Sequence, residues 1–273
     1  MKIEGKTKIV ESLDDPQKVR ITTKDSLTAN DAAIQADLPV AGDKTTQTIQ
    51  VFHFLKKNGV PVAYITRNSD TSFIAWHCKM LPIECVIRRQ PYGSYIKRYP
   101  ESGSSDIFNP PKTEFYHKHA VVVHPETTQM MPEETARSLY LKDGEWTGEV
   151  YTDPLIEPHE DSWLLYPAKL PRHEMQPLMD ILPVVDMETL EHIRTKLMLP
   201  CFELLEKAWK KFNVNLIDMK IEVGYRKDTK ELVVSDVIDN DSWRIWPGGD
   251  PKNQLDKQSF REGEDLSEVQ KKY

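Results

Sequence analysis

The chain has 273 residues, enough to bury a substantial core in one large domain or two closely packed lobes. Its composition, 39% hydrophobic and 29% charged, is that of an ordinary soluble globular protein, and a net charge of -7 excludes a general nucleic-acid binder, which needs a basic field. Three widely spaced cysteines suggest neither a disulfide framework nor a zinc site; with no apolar leader and no bilayer-length run, a soluble cytoplasmic protein is expected.

The first chemical feature is Gly5-Lys6-Thr7-Lys8, set between strand-like residues. In an extended segment Lys6 and Lys8 share one face and Gly5 permits close backbone approach, which suits a nucleotide polyphosphate. It is not a Walker A loop, and short strings of this kind are more often surface charge. Residues 45–57 predict a helix, with Ile49, Phe52 and Leu55 roughly on one face, a threonine near the start and Gly59 just past the end. The β-branched and apolar stretches 60–66 and 81–89 predict strands. The second runs into a basic turn where Arg88, Ser94, Lys97 and Arg98 flank Gly93, either a cradle for a phosphate monoester or a basic strand end.

Residues 120–186 carry many prolines, including Pro132, Pro154, Pro158 and Pro167, and predict a long irregular excursion of short elements. A helical pattern follows over 187–212, which Pro200 should break or kink. In V-N-L-I-D-M-K-I-E-V, Ile217, Met219, Ile221 and Val223 alternate with Asp218, Lys220 and Glu222, the pattern of a half-buried strand. A turn and the run E-L-V-V-S-D-V-I complete a hairpin signal. If it turns about Thr229, Glu222 faces Asp236 with Cβ atoms about 4.5–5.5 Å apart. Facing carboxylates destabilise a sheet unless neutralised; Mg²⁺, held by one or two carboxylates plus substrate phosphates, would do so, with Lys220 reaching the same phosphates. A solvated polar face is the other reading. Arg244, Lys257 and Arg261 form a second cationic group near the C-terminus. The motifs of serine hydrolases, zinc proteases, dinucleotide folds and redox pairs are absent.

In chain order, E-G-K-T-K at 4–8, K-D-S-L-T-A-N-D-A-A at 24–33, P-I-E-C-V-I-R-R-Q-P-Y-G-S-Y-I-K-R at 82–98, L-I-D-M-K-I-E-V-G at 216–224, S-D-V-I-D-N-D-S-W-R-I-W-P at 235–247 and L-D-K-Q-S-F-R at 255–261 resemble the SAICAR synthetases, in particular the form found in animal bifunctional enzymes. The likeness covers most of 1–118 and 187–262. It implies an α+β, two-lobed fold related to ATP-grasp, with antiparallel sheets and packed helices. The expected lobes are 1–80, binding nucleotide, and 81–273, binding substrate and metal, with an irregular insertion at about 120–186.

The resemblance also implies a reaction. ATP phosphorylates the carboxylate of 4-carboxy-5-aminoimidazole ribonucleotide, and the amine of L-aspartate then displaces phosphate. By matching position, Lys6 and Lys8 would contact ATP phosphates, with Lys118 also on the nucleotide side. Lys79, Met80 and Leu81 would hold adenine largely through backbone. Glu222 and Asp236 would bind Mg²⁺, and Lys220 would polarise the reacting groups. Arg88, Ser94 and Arg244 would hold the ribotide phosphate, Lys257 and Arg261 its carboxylated imidazole, and Asp31 would lie near the substrates. The implied partners are small-molecule substrates in a homo-oligomer, without nucleic acid or membrane.

Two departures stand out. Relatives continue the Lys118 strand as K-x-D-x-x-x-D-P, whereas K-H-A-V-V-V-H-P here puts Ala120 and His124 at the acidic positions. Either Asp153-Pro154 supplies the missing carboxylate, or activity is altered or lost. The chain also stops at Tyr273, where relatives continue into a helix. A ligase using another amine and a non-catalytic nucleotide binder are the alternatives.

Overall fold

The computed structural model describes residues 2–29, 34–103 and 105–273. The chain divides into one unit of Met1–Leu81 with Lys196–Tyr273, and a second of Pro82–Thr195. The expected division into 1–80 and 81–273 therefore differs from the observed one. Long-range contacts explain why: Val62 bridges Val234, and Thr48 Oγ1 donates to the Ile238 carbonyl at 3.2 Å. The C-terminal segment thereby joins the N-terminal one.

The first unit begins with β1 (Lys2–Glu4), β2 (Lys8–Ser12), β3 (Lys18–Thr23), β4 (Ser26–Ala29), β5 (Ile34–Asp37), α1 (Ala41–Lys57), β6 (Tyr64–Ser69) and β7 (Ser72–Trp76). Antiparallel pairing gives a sheet of order β1-β2-β3-β7-β6. Helix α1 buries Ile49, Phe52 and Leu55, as its spacing predicts. It starts at Ala41 rather than near residue 45, and no threonine caps it. Instead the Asp25 carboxylate accepts the Ala41 N–H at 2.9 Å. Only from Tyr64 onward does the 60–66 stretch join a ladder.

Strand β8 (Cys78–Arg88) leads into the second unit, which continues through α2 (Ser94–Arg98), β9 (Lys112–His117), β10 (His119–Val123), β11 (Thr128–Pro132), α3 (Glu133–Tyr140), β12 (Leu141–Lys142), β13 (Glu145–Trp146), β14 (Glu149–Tyr151), β15 (Leu155–Pro158), β16 (Trp163–Tyr166), β17 (Met179–Ile181) and α4 (Met187–His192). Neighbouring strands β8, β9, β15, β16 and β17 pair antiparallel, and β10 pairs with both β11 and β14. The expectation of an irregular excursion over 120–186 is thus corrected. Its prolines mark element ends, where no ladder N–H is needed: Pro132 closes β11, Pro154 precedes β15 and Pro158 closes it. Between them Trp163 and Leu165 are fully buried.

The expected 187–212 helix has three parts: α4, a π-helical stretch Ile193–Met198, and α5 (Leu199–Lys210) with Pro200 in its first turn. Proline donates no N–H and crowds the carbonyl four residues back, which accounts for the widened turn before it. The first unit then closes with β18 (Val214–Arg226), β19 (Leu232–Ser235), β20 (Trp243–Pro247), α6 (Gln258–Arg261) and α7 (Leu266–Lys271). Strand β18 pairs antiparallel with both β19 and β20. It is buried on both faces rather than half-buried, because Asp218 and Glu222 go inside together with cationic partners. These antiparallel sheets with packed helices make an α+β fold. Among the described residues no helix is long and apolar enough to cross a membrane.

Candidate functional site

In the first unit, residues 5–8 form the tight turn between β1 and β2, closed by the Gly5 N–H donating to the Lys8 carbonyl at 2.9 Å. The expected extended stretch with Lys6 and Lys8 on one face is therefore replaced by a hairpin tip. Lys6 occupies the tip, where its carbonyl accepts the Ser26 hydroxyl at 2.7 Å. Lys8 opens β2 and forms an ion pair with Asp236.

The β18–β19 hairpin turns through a four-residue loop, 227–230, with Lys230 left-handed at φ 61°. Its axis falls between Asp228 and Thr229 rather than on Thr229. Glu222 consequently faces Ser235, and the expected Glu222–Asp236 cross-strand pair does not form. Asp236 lies one residue beyond the ladder, in the left-handed region at φ 66°. Both carboxylates still sit at the same end of the hairpin, each with an ammonium partner: Lys8 for Asp236, and Lys220 Nζ for Glu222 at 2.9 Å. Among the described residues no cluster of three or more His, Cys, Asp or Glu forms a protein-only metal cage. Two oxygen donors beside lysines fit a Mg²⁺ ion that takes its other ligands from phosphate and water.

Lys79 and Met80 expose their side chains on β8, while Leu81 is buried. Gly224 is what lets β18 approach this backbone. A Cβ there would stand 3.0 Å from the Lys79 carbonyl oxygen and 3.1 Å from Met80 Cα.

The second cationic group lies in the same unit. Arg244 Nη1 donates to Asp218 at 2.6 Å. Lys257, buried, donates to Asp241 at 3.3 Å, and the exposed Arg261 donates to Gln258. Asp241 also accepts from Lys44 Nζ at 2.8 Å and from the Tyr273 hydroxyl. Burial opposes the Asp241 charge, but Lys257 and Lys44 outweigh it and hold the carboxyl below the ordinary range. Asp239, buried beside it, is pushed up by burial and by the Asp241 charge.

In the second unit Arg88 and Ser94 come together as expected, with Nη2 to Oγ at 3.2 Å. Ser94 opens α2 after Gly93, whose φ of 61° makes the turn. Arg98 does not line this cradle: it is buried, donating to Glu114 and to the Ala168 carbonyl. Glu114 also accepts from Arg88 Nε at 2.8 Å and from the Tyr116 hydroxyl at 2.9 Å. Burial works against its charge, yet the two guanidinium groups hold its carboxyl below the usual range.

Lys118 joins β9 to β10. Ala120 packs in a fully buried cluster with Val122 and Ala136, so this strand position is core. Asp153, left-handed at φ 46°, directly precedes Pro154, whose carbonyl accepts the His117 N–H at 2.9 Å. This brings the Asp153-Pro154 backbone alongside the His117–Lys118 end of β9. Asp31 lies outside the described residues.

Lys44, Glu114, Asp241 and Tyr273 carry little sequence signal of these contacts. Each reads locally as a surface charge or an end residue, and only folding gives it partners. The one available hint was the acidic density of D-V-I-D-N-D-S-W at 236–243.

A sequence profile of the SAICAR synthetase family matches residues 1–142 and 168–273; Asp153 falls in the unmatched stretch. The chain is 36% identical over 268 residues to the multifunctional protein ADE2 of Gallus gallus, covering 97% of this chain and 52% of that protein. It is 35% identical over 269 residues to the phosphoribosylaminoimidazole-succinocarboxamide synthase of Chloroflexus aggregans, covering 97% of this chain and 87% of that one. It thus spans about half the length of the animal relatives it matches. A solved SAICAR synthetase in complex with ADP has the same fold, with a TM-score of 0.69 at 23% identity over 99% of this chain and 94% of that one. Motifs, profile and identities agree: this chain belongs to the SAICAR synthetase family.

Proposed function

We propose that the chain is an ATP-dependent ligase that joins L-aspartate to 4-carboxy-5-aminoimidazole ribonucleotide, giving SAICAR, ADP and phosphate. The observation that carries this reading is the pair of lysine–carboxylate contacts at one end of the β18–β19 hairpin, Lys8 with Asp236 and Lys220 with Glu222. Such pairs are ready to exchange partners, the ammonium groups turning to phosphate oxygens and the carboxylates to a cation. Mg²⁺ bound there with ATP would neutralise charge developing on the transferred phosphoryl group.

The γ-phosphoryl group moves from ATP to a carboxylate oxygen of the ribotide, giving an acyl phosphate as the bond to the leaving ADP breaks. The aspartate amine then attacks the acyl carbon; the C–N bond forms, the C–O bond to phosphate breaks, and the nitrogen loses a proton. Lys6, Lys8 and Lys220 serve the phosphate oxygens, and the backbone of Lys79, Met80 and Leu81 holds adenine. Arg88 and Ser94 suit the ribotide phosphate, while Lys257 and Arg261 suit its carboxylated ring. Lys118 serves the nucleotide, and Asp153 stands in for the carboxylate that the Ala120 strand cannot offer.

Incubation with ATP, Mg²⁺, the ribotide and aspartate is expected to release ADP only when both co-substrates are present. No ADP and no succinocarboxamide product would overturn the proposal. Asp153→Ala should lower kcat by about a hundredfold or more, as expected for a lost electrostatic stabiliser. An unchanged kcat removes Asp153 from the site. Gly224→Ala should raise KM for ATP and destabilise the fold by about 1–3 kcal/mol through overpacking against the Lys79–Met80 backbone. Thermal unfolding and initial rates together check both effects.

A further inference from the structure

Lys44 is a single residue in the first turn of α1, and its side chain is almost wholly buried. A buried ammonium group is costly, and an apolar pair of similar size would usually stabilise a core as well or better. Its surroundings are built around it. Lys44, Gln47 and Thr48 share one helical face and all grip the 237–242 loop. Lys44 donates to Asp241 at 2.8 Å, and Thr48 donates to the Ile238 carbonyl at 3.2 Å. Gln47 accepts the Asn240 N–H at 3.0 Å and donates to the Tyr273 carbonyl at 3.0 Å. The Lys44 ammonium also lies 5.5 Å from the Tyr273 ring centroid, and the Tyr273 hydroxyl donates to Asp241. Asn240 in turn donates to the carbonyls of Leu255 at 2.9 Å and Lys272 at 2.7 Å.

We propose that Lys44, supported by Tyr273, is a positioning residue that holds Asp241 and, through it, Lys257 in the geometry needed to bind an anionic group of the substrate. Lys257 shares the Asp241 oxygen Oδ2 with Lys44. One carboxylate oxygen therefore serves two buried ammonium groups, while Asp241 Oδ1 is taken by the Tyr273 hydroxyl. A bound substrate carboxylate would give the Lys257 ammonium, which shares its acceptor oxygen with Lys44, a further charged acceptor. The loop so held starts next to Asp236 and ends two residues before Arg244, so one face of α1 sets the spacing of both ends. The anionic group is taken to be the ribotide carboxylate, which rests on the ligase reading above.

Lys44→Met, Lys44→Arg and Tyr273→Phe test this in the full chain. Lys44→Met should raise KM for the ribotide about ten- to a hundredfold, the range expected when a binding group is misplaced by remote change. KM for ATP should hold and kcat should change little. Lys44→Arg should recover most of the loss, and Tyr273→Phe should show a smaller effect of the same kind. An unchanged ribotide KM overturns the proposal, as does a uniform fall in all parameters that Lys44→Arg fails to rescue. Amide hydrogen exchange decides the positioning role without any activity. Faster exchange across 237–242 and 255–261 in Lys44→Met supports it, and unchanged exchange there overturns it. A wild-type protein that releases no ADP overturns the ligase reading alone.

Discussion

Glu222→Gln should reduce ATP turnover about a hundred- to a thousandfold, the range seen when a preorganised electrostatic partner of a transition state is removed. Glutamine keeps the shape of the side chain but removes the charge that a divalent cation needs. Glu222 is buried and ion-paired with Lys220 at 2.9 Å, so the substitution also leaves that ammonium against a neutral amide. The two consequences separate by titration. If Glu222 is a metal ligand, the Mg²⁺ concentration giving half-maximal rate rises, and excess Mg²⁺ recovers part of the activity. If it only anchors Lys220, Mg²⁺ dependence stays as in wild type while kcat falls. Full activity in Glu222→Gln would remove it from the site. Asp236→Asn should share the Mg²⁺ effect, because Asp236 stands at the same end of the hairpin with Lys8 as its partner.

The largest effect on stability is expected at Glu114. Its carboxylate is buried and holds two buried guanidinium groups, Arg88 and Arg98, together with the Tyr116 hydroxyl. Removing one partner of a buried ion network typically costs about 3–5 kcal/mol, because the remaining charges stay inside without compensation. Glu114→Gln should therefore shift the urea midpoint strongly, and it should raise KM for the ribotide because Arg88 Nε loses its anchor. The sign of the pH dependence follows from the depressed folded-state pKa. The stabilisation is fully present above the unfolded value, about 4.3, and is lost as pH falls through the lower folded value. Acid unfolding below about pH 4 should lose part of its steepness in Glu114→Gln. A variant with the wild-type urea midpoint and acid limb would show that the network adds no net stability.

Much of the site was legible because its residues lie in short, ordered strings. Arg88 and Ser94 are six residues apart across a glycine turn, and folding brings them to 3.2 Å. Lys220 and Glu222 are two apart on one strand, and period two alone puts them on one face, where they meet at 2.9 Å. The Glu222–Asp236 pairing was read one step off. Register depends on loop length, and the left-handed Lys230 closes a four-residue turn where an odd-numbered one was expected. In the same way, the proline-rich 120–186 stretch looked irregular because prolines at element ends outweigh the short apolar runs between them. Burial of Trp163 and Leu165 shows those runs to be core strands.

By itself, then, the sequence determined the α+β class, the family, and the local pairs whose spacing matches a strand or a turn. Those follow from covalent periodicity and from strings too long to recur by chance. Tertiary structure alone decided that residues 196–273 belong with 1–81, that Ala120 is core, and that Lys44 and Tyr273 close on Asp241. A charge far away in sequence leaves no periodic trace, and whether it is solvated or buried against a partner depends on how the backbone between them folds.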